Sequence, residues 1–328
     1  MYELRTKIDA PVNKGFYLEG SFLLYQSGKK LIKQNLDNNK ILFEKEVNHN
    51  FQSIKPYKNG FICLSSSNYS ILDNDLNIIS DNKINYYEYR LISEEFLFSV
   101  VDYNYNTFEK KSGLYEIETR KNIWETDYNK GTLKSVDGIN FFISSPTKIQ
   151  RLNNEDGAII WSYEINNKNF IPELLGVNDN LAFFGLQSID KLIAIEITTG
   201  NIKWQKSTII GGYFFDYKEK KIHQMMVNYT CVDLSTGENI DSYVDNDFFE
   251  KNKFETQRKN YGFIDNHIIT TDFRKGTIGA FNTLTKEIDW KYESDNESFP
   301  ATSPIVLNDK YLIVQNNKNS LNIFHRKQ

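Results

Sequence analysis

Four histidines, His49, His223, His267 and His325, and two cysteines, Cys63 and Cys231, are the residues from which this chain would build a metal site or a thiol nucleophile. Zinc needs its nitrogen and sulfur ligands gathered at short spacings, such as His-x-x-x-His or Cys-x-x-Cys, and neither spacing occurs. Acyl transfer would call for a Gly-x-Ser-x-Gly elbow, and phosphate or dinucleotide binding for Gly-x-x-x-x-Gly-Lys or Gly-x-Gly-x-x-Gly. None of these is present, and Gly211-Gly212 reads as a bend rather than a phosphate cradle. Asp245 and Asp247 have the spacing for acid–base work or for calcium, with a solvated loop as the simpler account. The cysteines sit in apolar stretches, Phe61-Ile62-Cys63-Leu64 and Thr230-Cys231-Val232, which predicts two buried free thiols. The expectation is a chain without a catalytic centre, metal or cofactor.

Composition narrows the class further. Of 328 residues, 40% are hydrophobic and 14% aromatic, and 39 Lys and Arg face 43 Asp and Glu for a formal net charge of −4. Twenty-three Phe, 20 Tyr and 4 Trp give ample surface for burial, so disorder is excluded. No Lys- or Arg-rich run argues for nucleic acid. No apolar window approaches the roughly 20 residues of a membrane helix; runs such as Tyr311-Leu312-Ile313-Val314 have strand length. The beginning, Met1-Tyr2-Glu3-Leu4-Arg5, lacks the basic start and apolar centre of a secretory signal, so the expected compartment is the cytoplasm.

The elements that must position any site repeat along the chain. A strand, a short polar turn and an apolar strand recur eight times. The first turns fall at Glu19-Gly20, Asn59-Gly60 and Glu94-Glu95, and five more at Asp137-Gly138, Asn178-Asp179, Lys218-Glu219, Asp265-Asn266 and Asn308-Asp309. Eight units in 328 residues average about 41 residues each, the period of a four-stranded propeller blade. The second half of each unit carries a Thr-Gly turn with Trp four residues later, as in Thr199-Gly200 to Trp204. Gly157 leads likewise to Trp161, Thr119-Arg120 to Trp124 and Thr285-Lys286 to Trp290, so all four tryptophans share one place. Thr236-Gly237 keeps the turn but leads to Asp241, Asn38-Asn39 leads to Phe43, and the unit around Asp73-Asn74-Asp75-Leu76 is degenerate. Glycine permits a positive-φ turn and Thr bonds the turn backbone. Each Trp presents about 150–250 Å² to the adjoining unit and serves as a structural adhesive.

The pattern Ala194, Glu196, Thr199-Gly200, Trp204 resembles the repeats of the pyrroloquinoline-quinone-like β-propellers, fullest in the units ending at Trp161, Trp204 and Trp290. The resemblance spans nearly the whole chain and implies one all-β domain, residues 1–328, of eight four-stranded blades around an axis. Seven blades is the alternative, if the degenerate second unit is not a blade. Quinone-dependent dehydrogenases of this resemblance hold the cofactor beneath adjacent cysteines, a pair this chain lacks, so the implied branch is non-enzymatic. The last unit ends one strand short, and Tyr2 to Ile8 is a spare alternating strand that supplies the missing outer strand.

Function on a rigid scaffold belongs to its loops. Two exceed the repeat's minimum: residues 102–111, with Tyr103, Tyr105 and Phe108, and residues 245–254, with Asp245, Asp247, Phe248 and Phe249. In propellers of this resemblance both emerge on one face, and Glu293 and Asp295 in the next connection extend an acidic stretch. Aromatic anchors among carboxylates suit a partner protein with a basic patch. The expected function is a soluble, non-catalytic propeller that binds another protein, as a toxin-neutralising immunity protein or an assembly scaffold. A propeller lipoprotein that assists outer-membrane β-barrel assembly is a further resemblance, although the lipoprotein signal and its Cys are missing. The contrasting expectation is an enzyme or small-ligand binder using the central funnel.

Overall fold

In a computed structural model, the described residues are 1–84, 88–91, 96–104, 109–128, 131–136, 139–144, 148–165, 172–186, 191–207, 212–225, 228–244, 261–272, 276–300 and 304–327. Their strands pair into eight four-stranded antiparallel sheets. In chain order, sheets one to seven span residues 12–46, 53–83, 88–128, 131–164, 173–207, 212–243 and 261–293. Sheet eight joins residues 305–326 to the strand Tyr2–Ile8, which is its outer edge. Tyr2 pairs with Arg326 and Ile8 with Leu321, so the first strand of the chain completes the last sheet. No helix among the described residues is long and apolar enough to cross a membrane.

The burial pattern follows from sheets stacked face to face around an axis. The two middle strands of a sheet are covered on both sides and read as continuous apolar runs. In sheet five, Leu181–Leu186 and Lys191–Glu196 are buried along nearly their whole length. The outer strand alternates: in Ile202–Ser207, Trp204 is buried while Ile202, Lys203 and Gln205 are exposed. Each apolar cluster lies between two adjacent sheets. Phe184 and Ile193 of sheet five meet Ile149 and Trp161 of sheet four, while Tyr311 and Ile313 of sheet eight meet Leu23 and Tyr25 of sheet one. That last cluster closes the ring, and the architecture is an all-β propeller.

The hairpins joining third and fourth strands share one irregularity. A register shift separates Arg151 from Leu152, Ala194 from Ile195, Cys231 from Val232 and Ala280 from Phe281. This bulge turns the outer strand so that one side chain per sheet, the tryptophan position, aims at the following sheet. Cys63 and Cys231 are both buried and free.

Candidate functional site

The repeated Trp and Gly meet across the sheet boundaries. Indole Nε1 of Trp124 donates to the Asn154 carbonyl at 2.8 Å, that of Trp161 to Ile197 at 2.7 Å and that of Trp204 to Leu234 at 3.0 Å. Each acceptor lies three residues before a glycine of positive φ: Gly157 at 72°, Gly200 at 77° and Gly237 at 73°. A Cβ on these glycines would fall 2.7, 2.8 and 2.6 Å from Cδ2 of the corresponding indole. Glycine is therefore needed twice, for the left-handed turn and for a flat floor under the ring. Thr199 holds its turn by donating to Glu196 at 2.9 Å and accepting from the Asn201 amide at 3.2 Å. Thr236 does the same with Asp233 and the Glu238 amide. Trp290 has no such turn to enter, because the outer hairpin of sheet eight is interrupted by the chain ends. It packs edge-on against Tyr2 at 5.4 Å and Phe324 at 5.5 Å.

Where sheet six carries Asp241 in place of Trp, the facing turn carries Lys286, at φ 64°, in place of Gly. The Lys286 ammonium bonds the Asp241 carboxylate and the Thr283 carbonyl and lies 4.5 Å over the Tyr229 ring. Tyr229 also contacts Nδ1 of His223 at 2.9 Å, and His223 stacks on Phe263 at 4.7 Å. Burial pushes the His223 pKa down to about 4 and raises those of the Tyr229 phenol and Cys231 thiol. The three side chains are thus neutral at pH 7 and lie buried at the boundary of sheets six and seven. Because the unfolded histidine protonates near 6.5 and the folded one near 4, stability is full above 6.5 and falls as pH drops between those values. Stability at pH 5 is expected to be about 2 kcal/mol below that at pH 7, and His223→Phe should remove that share of the acid sensitivity in paired denaturant titrations.

Among the loop residues singled out from sequence, Tyr103 lies in the strand Phe96–Asn104 opposite Lys110. Tyr105, Phe108, Asp245, Asp247, Phe248 and Phe249 lie outside the described residues. Glu293 and Asp295 are exposed, and Glu293 pairs with Lys291 of its own strand. Glu297, two residues on, is drawn beneath the surface by Lys7 and Asn322, each at 3.2 Å, leaving its side chain 9% exposed. Among the described residues, no group of three or more His, Cys, Asp or Glu is placed to hold a metal ion.

Comparison with known proteins agrees with this geometry. Residues 108–212 match the family model described as outer membrane protein assembly factor BamB. No curated protein sequence matches the chain. Among solved structures, BamB from Moraxella catarrhalis is similar at a TM-score of 0.63 with 11% identity, covering 99% of this chain and 100% of that one. The computationally designed Ika8 protein gives 0.68 with 8% identity, covering 98% of both chains. A europium-containing methanol dehydrogenase gives 0.66 with 9% identity, covering 95% of this chain and 84% of its own. Residues 108–212 carry repeat sequence similar to that family model, and over nearly its whole length the chain has the β-propeller fold of these solved structures.

Proposed function

We propose that this chain is a non-catalytic, eight-bladed propeller that binds a partner protein through the rim where second-to-third-strand hairpins and inter-sheet connections emerge, serving as an assembly scaffold. The observation that carries the reading is the hairpin of sheet three. Its strands Phe96–Asn104 and Glu109–Glu116 have nine and eight residues, and their pairing continues to Asn104 opposite Glu109. The corresponding strands of sheet five, Leu181–Leu186 and Lys191–Glu196, have six residues each, and those of sheet six, Lys221–Met225 and Tyr229–Asp233, have five. At ~3.4 Å per residue the extra length lifts the Tyr103 end roughly 10 Å above the rim as a paired ribbon. A preformed projection loses little conformational freedom on binding, which favours affinity. Strands alternate in direction, so Tyr243 at the end of sheet six and Glu293 at the end of sheet seven lie on this same rim. The exposed Asp295 and the aromatic residues of the longer connection give it the composition of an interface, and a partner with a basic patch matches its carboxylates.

Of the two roles consistent with a binding ring, assembly scaffold has the support of the match to an assembly-factor family, while toxin neutralisation has no observation behind it. The test replaces Tyr103, Tyr105, Phe248 and Phe249 with Ser. On this reading the variant should melt within about 2 °C of the parent. In affinity capture from native cell extract, it should lose one stoichiometric protein that the parent retains. Equal capture by both would remove these loops from the function, and a parent that retains nothing specific would redirect attention to the central funnel.

A further inference from the structure

Between sheets two and three, the tryptophan socket of the repeat is present but its tryptophan is not. The register that sets Ala194 opposite Trp204 and Ile195 opposite Ile202 sets Ile71 opposite Ser80 and Leu72 opposite Ile78. Ser80 therefore stands where the indole would begin. The facing turn keeps its shape, with Arg120 at φ 59° in the glycine position and the Ile117 carbonyl three residues before it. A cavity of about 430 Å³ opens there, lined by Ile71, Leu72, Ile79, Ser80, Ile117 and Arg120. Leu72 and Ile117 are buried at its floor, and Ile79, 68% exposed, forms its lip. At the other two junctions of ordinary topology that lack Trp, this chain fills the space itself. Lys286 reaches to Asp241, while Leu76 is fully buried in the glycine position facing Phe43. Here the Arg120 guanidinium reaches Ser80 Oγ at 3.3 Å from Nη2, on the exposed side of the cavity.

We propose that this cavity is a binding site for an indole ring, taking a tryptophan side chain presented by a partner polypeptide. The same backbone frame holds an indole at Trp124, Trp161 and Trp204, between one bulged outer strand and one left-handed turn. The Ile117 carbonyl, the counterpart of the carbonyls that accept those three indole N–H groups, takes the Tyr69 hydroxyl at 3.2 Å and keeps a second lone pair for a ring N–H. Arg120 replaces the glycine floor with a guanidinium, a group that stacks on aromatic faces. Lys58 and Glu118 pair across the mouth at 3.5 Å, each well exposed, and give the entrance a polar collar. The site lies on the rim of first-to-second and third-to-fourth turns, opposite the rim that carries residues 102–111. It therefore stands or falls separately from the loop-binding reading.

The test is a titration of the full chain with N-acetyl-tryptophanamide, followed through isoleucine methyl resonances. Saturable shifts are expected at Ile71, Ile79 and Ile117, with a dissociation constant of ~0.1–1 mM for a ligand of this size. N-acetyl-leucinamide should bind at least about 10-fold more weakly, having no ring face or N–H. Ser80→Trp with Arg120→Gly rebuilds the intramolecular junction; it should abolish those shifts and raise the melting temperature by several degrees. Ile79→Glu, at an exposed lip, should leave melting unchanged and weaken binding at least about 10-fold. Absence of saturable shifts in the parent up to ~20 mM, or undiminished affinity in Ile79→Glu, would overturn the assignment.

Discussion

Deleting residues 1–8 is expected to lower the melting temperature of the entire chain by at least about 15 °C, in one transition rather than as the loss of a frayed end. The strand Tyr2–Ile8 is the outer strand of sheet eight and pairs along its length with Leu321–Arg326. Its side chains also close the neighbouring boundary. Tyr2 is buried against Trp290 at 5.4 Å, and burial raises its phenol pKa to about 12. Tyr2 and Leu4 join the cluster that contains Ile269, Ile278 and Phe324. Removing them forfeits the burial of Tyr2 and the partial burial of Leu4, about 3–5 kcal/mol, together with the ladder itself, against a total stability of about 5–15 kcal/mol. The last strand would become a bare edge beside the fully buried Leu321, Ile323 and Phe324, a template for pairing with other chains. Thermal melts with light scattering check both effects: early melting and concentration-dependent association are expected, and a truncated protein that melts like the parent would refute the closure argument.

The repeat was legible because its constraints are local. A Thr-Gly turn and a Trp four residues later report one hairpin, and the period of that report gives the ring. The missing terminal strand was legible for the same reason: the alternation of Tyr2 to Ile8 matched an outer strand that the last unit lacked. What could not be seen locally were the compensations between units. Asp241 and Lys286 are 45 residues apart and Ser80 and Arg120 40 apart, so each pair looks like two unrelated departures from the pattern. Read at one repeat's spacing, both are a single event, in which a polar residue replaces Trp and a long cation replaces the Gly that faced it. The second unit looked degenerate for this reason, although its strands Ser53–Tyr57, Gly60–Leu64, Asn68–Asp73 and Ile78–Lys83 pair in the ordinary order. Nor could charge read along a loop show that Lys7 reaches Glu297 from the opposite end of the chain.

The Trp–Gly junction makes the other large prediction, and a mutant cycle separates its two components. Gly200→Ala is expected to cost about 3–4 kcal/mol, of which about 1–2 kcal/mol belongs to a Cβ at positive φ. The remainder arises because that Cβ would lie 2.8 Å from Cδ2 and Cγ of Trp161, whose Nε1 is committed to the Ile197 carbonyl at 2.7 Å. Displacing the ring gives up packing and pulls the buried indole N–H away from its acceptor. Trp161→Ala alone should cost about 3–5 kcal/mol, through the cavity it leaves, while the Ile197 carbonyl keeps its bond from Arg151 Nη1 at 2.8 Å. With the indole gone, adding Gly200→Ala should cost only the backbone share, so the double variant falls short of additivity by about 2 kcal/mol. Gly20 supplies the control: its φ is 53° and a Cβ there meets nothing within 4 Å, so Gly20→Ala should show the backbone cost by itself. Urea titrations of the four variants measure every leg. Strict additivity at Trp161 and Gly200, or a Gly20→Ala cost equal to that of Gly200→Ala, would mean that the glycine serves its turn alone and that the indole does not depend on it.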